Sequence, residues 1–215
     1  DIVSDYLPWF KPTYKGKECD ITIEELLCHT SGIPAWTIST IPKAEEDEKD
    51  GLERTIRNIK DVKLNFEPGT RHEYATINYD ILALILESVT GEKYENYIRD
   101  EILKPLDMNE SFFRISDSDA RNAVQGHKTA FFLPLEDNAP TYYGNTAAGY
   151  LVSSASDLKK WLKVWLILPR RKALPHTQKV PRYVWRITMS KFLSDNYKDL
   201  NPYVPGEQPK ERKYI

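Results

Sequence analysis

Residues 64–113, LNFEPGTRHEYATINYDILALILESVTGEKYENYIRDEILKPLDMNESFF, decide how the rest of the chain is read. Pro68-Gly69 signals a turn. Tyr74-Ala75-Thr76 then leads into a run holding Ile77, Ile81, Leu82, Ile85, Leu86 and Val89. Apolar residues surround this segment rather than striping one side, which predicts a helix buried on nearly all faces. Gly91 stands where a left-handed residue would stop it. A second helical pattern places Tyr94, Tyr97, Ile98 and Ile102 on one side, and Pro105 forbids its continuation. A buried helix that starts directly after a turn holds its first residues rigidly. At the wall of a cleft such a position suits a functional tyrosine, here Tyr74, although packing alone accounts for most of the segment.

Upstream, Thr22-Ile23-Glu24-Glu25 forms a capping box, so a short helix follows with Leu26 and Leu27 inward. Gly32 is its expected left-handed stop, with Pro34 beyond. Residues 1–14 read as an extended segment packed on a surface. Residues 43–51 read as a solvated acidic loop. Residues 52–63 give a helix with Leu52, Ile56, Ile59 and Val62 inward. Downstream, residues 114–145 read as turns and irregular structure. Ser154 then caps a helix on which Leu158, Trp161, Leu162 and Trp165 form an inward stripe.

The 215 residues are 40% hydrophobic and 29% charged, which is globular composition with length enough for a core. No apolar run reaches about 18 residues, so no membrane span is predicted. Cys19 and Cys28, with no histidine at ligand spacing, make neither a disulfide framework nor a metal site, and no cofactor is implied. Cys28 reads as a small core residue. The net charge of −2 hides an asymmetry: from Pro169 onward there are eleven Lys/Arg against four Asp/Glu, and before it 19 against 28.

Several of these segments resemble the serine β-lactamase and penicillin-binding protein family, in its class C β-lactamase and DD-peptidase-like branch. They are ITIEELLCHTSGIP at 21–34, FEPGT at 66–70, YAT at 74–76, residues 82–91, LKPLDM at 103–108 and AAGYLVSSASDLKKWLKVWL at 147–166. Each is weak alone; their order and spacing carry the resemblance. It implies an α+β, β-lactamase/transpeptidase-like fold, represented mainly by its helical region with an incomplete antiparallel sheet and exposed apolar surface. The domain division expected is a partial β-lactamase-like domain over 1–166 and a basic, proline-rich tail over 167–215 with no fold assigned.

The chemistry implied is acyl transfer. In this family a serine in a Ser-x-x-Lys motif attacks a carbonyl, a Tyr-x-Asn motif supplies a proton shuttle and an amide that orients substrate, and a Lys-Thr-Gly strand closes the site. Tyr74 matches the tyrosine, as the catalytic candidate; a core tyrosine with a satisfied hydroxyl is its alternative. Thr76 takes the asparagine position, as the substrate-binding candidate, with one hydroxyl in place of a two-sided amide. Asn78 lies two residues on, which a helix turns away by about 200°. The Ser-x-x-Lys is expected upstream of Asp1. Ser156-Asp157-Leu158-Lys159 has the spacing but starts a surface helix. Lys128-Thr129-Ala130 lacks the glycine, and Ser194-Asp195-Asn196 lies in the unmatched tail. His29 reads as a loop brace rather than a general base.

The expected role is thus part of a serine hydrolase acting on β-lactam or D-Ala-D-Ala-type amides and esters, with this chain alone inactive. Its expected partner is a small-molecule or peptide substrate of cell-wall type, and its expected location the cell envelope. The alternative is a non-catalytic relative that binds cell-wall peptide or a protein. Nucleic-acid binding through Arg170-Arg171-Lys172 has no stacking module to support it.

Overall fold

The computed structural model describes residues 1–41, 50–113, 124, 126–130, 132–136 and 142–167. The chain divides into two units, Asp1–Val180 and Pro181–Ile215, the second wholly outside the described residues.

Six α-helices among the described residues organise the first unit: α1 Ile23–Leu27, α2 Gly51–Arg57, α3 Ile77–Thr90, α4 Tyr94–Ile98, α5 Thr146–Gly149 and α6 Ala155–Ile167. Helix α3 is the centre, touching α1, α2, α4 and α5. Ile77 and Ile81 are fully buried with Ala83, Leu84 and Ile85. Gly91 ends the helix at φ +72°. The sequence reading overstated the burial of its last turn, for Val89 is 64% exposed. Within the apolar run sit two fully buried polar residues, Asn78 and Asp80.

The capping box of α1 is closed as read: the Glu25 amide donates to Thr22 Oγ1 at 3.2 Å and the Thr22 amide to Glu25 Oε2 at 2.7 Å. Of the two leucines only Leu26 is fully buried. Helix α2 ends at Arg57, earlier than the apolar period suggested, yet Leu52, Ile56, Ile59 and Val62 all face the core. Helix α4 continues as a wide turn over Arg99–Leu103, closed by the Lys104 amide on the Arg99 carbonyl at 2.9 Å. The extra residue in that turn makes Leu103 the buried side chain and leaves Ile102 half-buried. The first 14 residues are core rather than surface cover: Val3, Leu7 and Phe10 are buried, and the Arg57 guanidinium lies 4.3 Å over the Trp9 ring.

Sheet structure among the described residues is three separate antiparallel pairs. Strand β1 (Thr13–Tyr14) pairs with β2 (Lys17–Glu18), β3 (Phe112–Phe113) with β6 (Leu151–Val152), and β4 (His127–Ala130) with β5 (Leu133–Glu136). The β4–β5 hairpin lies where only irregular structure was expected. Its β5 side chains are all exposed, so no burial pattern announced it.

Helix α6 also departs from expectation. Leu158 and Leu162 are 46% and 59% exposed, and the side chain of Trp165 lies outside the described residues. The buried face instead carries Asp157 and Val164. Asp157 accepts from the Glu110 amide and Ser111 Oγ, both at 2.8 Å, and from Lys160 Nζ at 3.0 Å, while Lys160 also reaches the Asp107 carbonyl. A polar clasp, not the apolar stripe, fixes this helix to the segment before β3.

Asp80 is the exception to polar satisfaction. Neither carboxyl oxygen has a hydrogen-bond partner among the described residues. Burial pushes its pKa up to about 8 from 3.8, and the nearby Ala148 amide opposes this only in part. Between those values the folded state keeps a proton that the unfolded state releases, so stability is full below about pH 4 and falls as pH rises to about 8. Thermal midpoints are expected to drop across that range, and Asp80→Asn to flatten the slope. A second expectation concerns Gly32, at φ +79°, where an added Cβ would collide with the Phe66 carbonyl oxygen. Gly32→Ala should cost about 2–4 kcal/mol in urea unfolding.

Candidate active site

The site is built where the loop after α1 meets the start of α3. Loop residue His29 takes a left-handed backbone, φ +54°, and Gly32 another, which together fold residues 29–33 back against residues 64–66 and 73–78. The Asn65 amide donates to the Gly32 carbonyl at 2.9 Å and the Glu73 amide to the His29 carbonyl at 2.9 Å. The Glu73 carboxylate accepts from the Ala35 amide at 3.2 Å and from Asn65 Nδ2 at 2.9 Å, joining both sides of the loop.

At the centre Ser31 and Asn78 are fully buried. Ser31 Oγ accepts from the Ile33 amide at 3.2 Å and donates to Asn78 Oδ1 at 3.0 Å. Asn78 Nδ2 lies 3.2 Å from His29 Nδ1, which also accepts from the Ala75 amide at 3.4 Å. The His29 ring packs against Tyr74, centroids 4.5 Å apart, and against Tyr79 at 5.3 Å. Burial, then the neighbouring His72, holds the His29 pKa below its usual 6.5. The Tyr79 hydroxyl donates to the Leu27 carbonyl at 3.2 Å, and burial pushes its pKa up.

Tyr74 itself is 60% exposed. Its hydroxyl makes no hydrogen bond among the described residues. Thr76 is half-buried at the N-cap of α3 with no capping bond from its side chain. Tyr74 is thus exposed and Thr76 half-buried at the start of α3. Asn78 is turned inward, with its amide spent on Ser31 and His29. Ser31 is likewise committed. Ser156 and Lys159 lie exposed on α6, and Lys128 and Thr129 on β4. No group of three metal-ligating side chains occurs among the described residues. A groove of about 370 Å³ lies elsewhere, lined by Leu52, Glu87, Tyr94, Phe113 and Tyr143. Glu87 is ten residues along α3 from Ile77, about 15 Å on the axis.

The model of the Beta-lactamase family matches residues 1–198. The chain belongs to the Beta-lactamase family. Protein flp of Staphylococcus aureus strain MW2 is 34% identical over 169 residues, covering 79% of this chain and 34% of that protein. A putative D-alanyl-D-alanine carboxypeptidase of Escherichia coli K12 is 32% identical over 120 residues, 53% of this chain and 27% of that one. The structure of an octameric penicillin-binding protein homologue from Pyrococcus abyssi superposes with a TM-score of 0.60 at 30% identity, covering 80% of this chain and 39% of that one. The chain spans 34% and 27% of the length of these two curated relatives. Its fold is the α+β fold of β-lactamase/transpeptidase proteins, with small antiparallel sheets and no closed barrel among the described residues.

Two features of this family site escaped the sequence reading. The commitment of Asn78 needed the 47-residue contact to Ser31, and Glu73 as a loop staple needed its contacts to Ala35 and Asn65. The buried network predicts an asymmetry measurable by urea unfolding. Asn78→Ala orphans Ser31 and the His29 loop and should cost about 2–4 kcal/mol. Thr76→Ala should cost less than about 1 kcal/mol.

Proposed function

We propose that this chain supplies the tyrosine-bearing wall of the acyl-transfer site of a β-lactamase-related serine hydrolase. Its substrate class is a β-lactam or a D-Ala-D-Ala-type amide or ester of the cell wall, and its place of action is the cell envelope. Tyr74 is the proton-transfer group, and Thr76 contacts the substrate through its hydroxyl. The nucleophilic serine and its lysine are not among residues 1–166, the partial domain of this reading, and residues 167–215 are a separate tail. The observation that carries the proposal is the pairing of an outward, 60% exposed Tyr74 with a loop and helix start anchored by the fully buried, mutually hydrogen-bonded Ser31 and Asn78. A core tyrosine would have been covered like its neighbour Ala75, which is fully buried. General acid–base groups must be reachable by substrate and held still, and this edge meets both conditions.

Thr76 in the asparagine position favours a second reading, in which cell-wall peptide is bound without chemistry. Two measurements on the 215-residue chain test the pair. A D-Ala-D-Ala peptide titrated at millimolar concentration is expected to move backbone NMR signals of residues 74–76. Shifts confined to the groove at Tyr94 and Phe113, or none at all, would contradict both readings. Fluorescent penicillin is expected to leave this chain without a covalent label. A stable adduct would overturn the assignment of the nucleophile to residues outside it.

A further inference from the structure

His29 is held at every point by the residues that start α3. Its carbonyl takes the Glu73 amide, its Nδ1 faces the Ala75 amide and Asn78 Nδ2, and its ring lies on Tyr74 and Tyr79. Its φ of +54° is a left-handed conformation that a non-glycine residue keeps only when its surroundings over-determine it. The direction of the hydrogen bonds can be followed inward. Ser31 Oγ takes the Ile33 amide, so it gives its proton to Asn78 Oδ1, and this turns the Asn78 amide nitrogen toward His29. Two N–H donors then converge on Nδ1. That nitrogen must carry the lone pair, and the ring proton belongs on Nε2.

We propose that neutral His29, with its lone pair on Nδ1, is the positioning residue that fixes the Tyr74 phenol in one orientation, and that protonation of His29 releases it. The consequence for chemistry rests on Tyr74 being the proton-transfer group; the geometry does not. A proton on Nδ1 removes the acceptor from the Ala75 amide and Asn78 Nδ2 together and sets N–H against N–H. The phenol ring 4.5 Å away then loses the surface it packs on. The titratable groups facing His29 are His72 and Tyr74 from the segment before α3 and Tyr79 from α3, and Cys28 at the end of α1 acts on Tyr79. The nearest carboxylate in sequence along that segment, Glu73, is turned to Ala35 and Asn65. Burial, then His72, disfavour the imidazolium, and the Ala75 backbone opposes them only in part.

The test uses the 215-residue chain with ring-labelled tyrosine and histidine, followed by NMR from about pH 8 down to about pH 5. The Tyr74 ring signal is expected to shift with the same midpoint as His29, below 6.5. At pH 7.5 His29→Asn, which tolerates a left-handed backbone and offers an acceptor but no ring, should turn the single Tyr74 signal into a broadened or doubled one. His72→Asn should leave the linked shift in place. A Tyr74 signal that stays fixed while His29 titrates overturns the proposal, and so does an unchanged Tyr74 signal in His29→Asn. The peptide titration is independent of this. If the linked shift is seen but the peptide leaves Tyr74 untouched, the catalytic reading fails and the positioning role stands. If the peptide moves Tyr74 and the linked shift is missing, the reverse holds.

Discussion

The whole arrangement depends on one buried hydrogen-bonded contact across 47 residues of sequence, Ser31 Oγ to Asn78 Oδ1. Both side chains are inaccessible to water, so neither can be left without a partner except at the full cost of desolvation. The contact ties the loop after α1 to the first turn of α3. It can form only because Gly32 adopts φ +79° and lets the loop backbone lie against the Phe66 carbonyl. Once it is made, the direction of the Asn78 amide is fixed, and with it the tautomer of His29. The orientation of Tyr74 follows from the ring contact. An exposed tyrosine thus owes its placement to the buried Ser31 and Asn78.

The buried polar groups in the first turn of α3 fall into two states. At its start every polar group within the clasp has a partner and the backbone is held by long-range bonds. Further along, Asp80 has none among the described residues, and burial keeps its carboxyl largely protonated near neutral pH. Tyr94, whose pKa is pushed up to about 12 by burial and then by Asp80, lies between that residue and the groove at Phe113. Stability and site geometry therefore have opposite pH dependences. Deprotonating Asp80 weakens the fold as pH rises, while protonating His29 weakens the clasp as pH falls. The two together favour an intermediate pH for the intact structure.

Much of this was legible in the sequence because it is local. The Thr22–Glu25 capping box, the Gly91 stop and the α3 run are decided by residues within a few positions of one another. The family segments could be read for the same reason, while the sequence left Tyr74 open between a cleft wall and the core, and its 60% exposure decides against the core. What could not be read depended on distant partners. The inward stripe predicted for α6 held only in part: Trp161 is half-buried, but Leu158 and Leu162 are exposed, because Asp157 finds Glu110, Ser111 and Lys160 and that clasp orients the helix. The wide turn after α4 shifted burial from Ile102 to Leu103. The β4–β5 hairpin carries no buried face and so left no alternation to detect. The structural role of Asn78 was hidden because periodicity says only that it points away from Thr76, not what it meets there.

The most direct measurement of the central contact is a double-mutant cycle on Ser31→Ala and Asn78→Ala, read by urea unfolding. If this bond organises the loop and the start of α3, the two substitutions couple by about 1–2 kcal/mol. Additive effects, with a coupling energy near zero, would contradict the account.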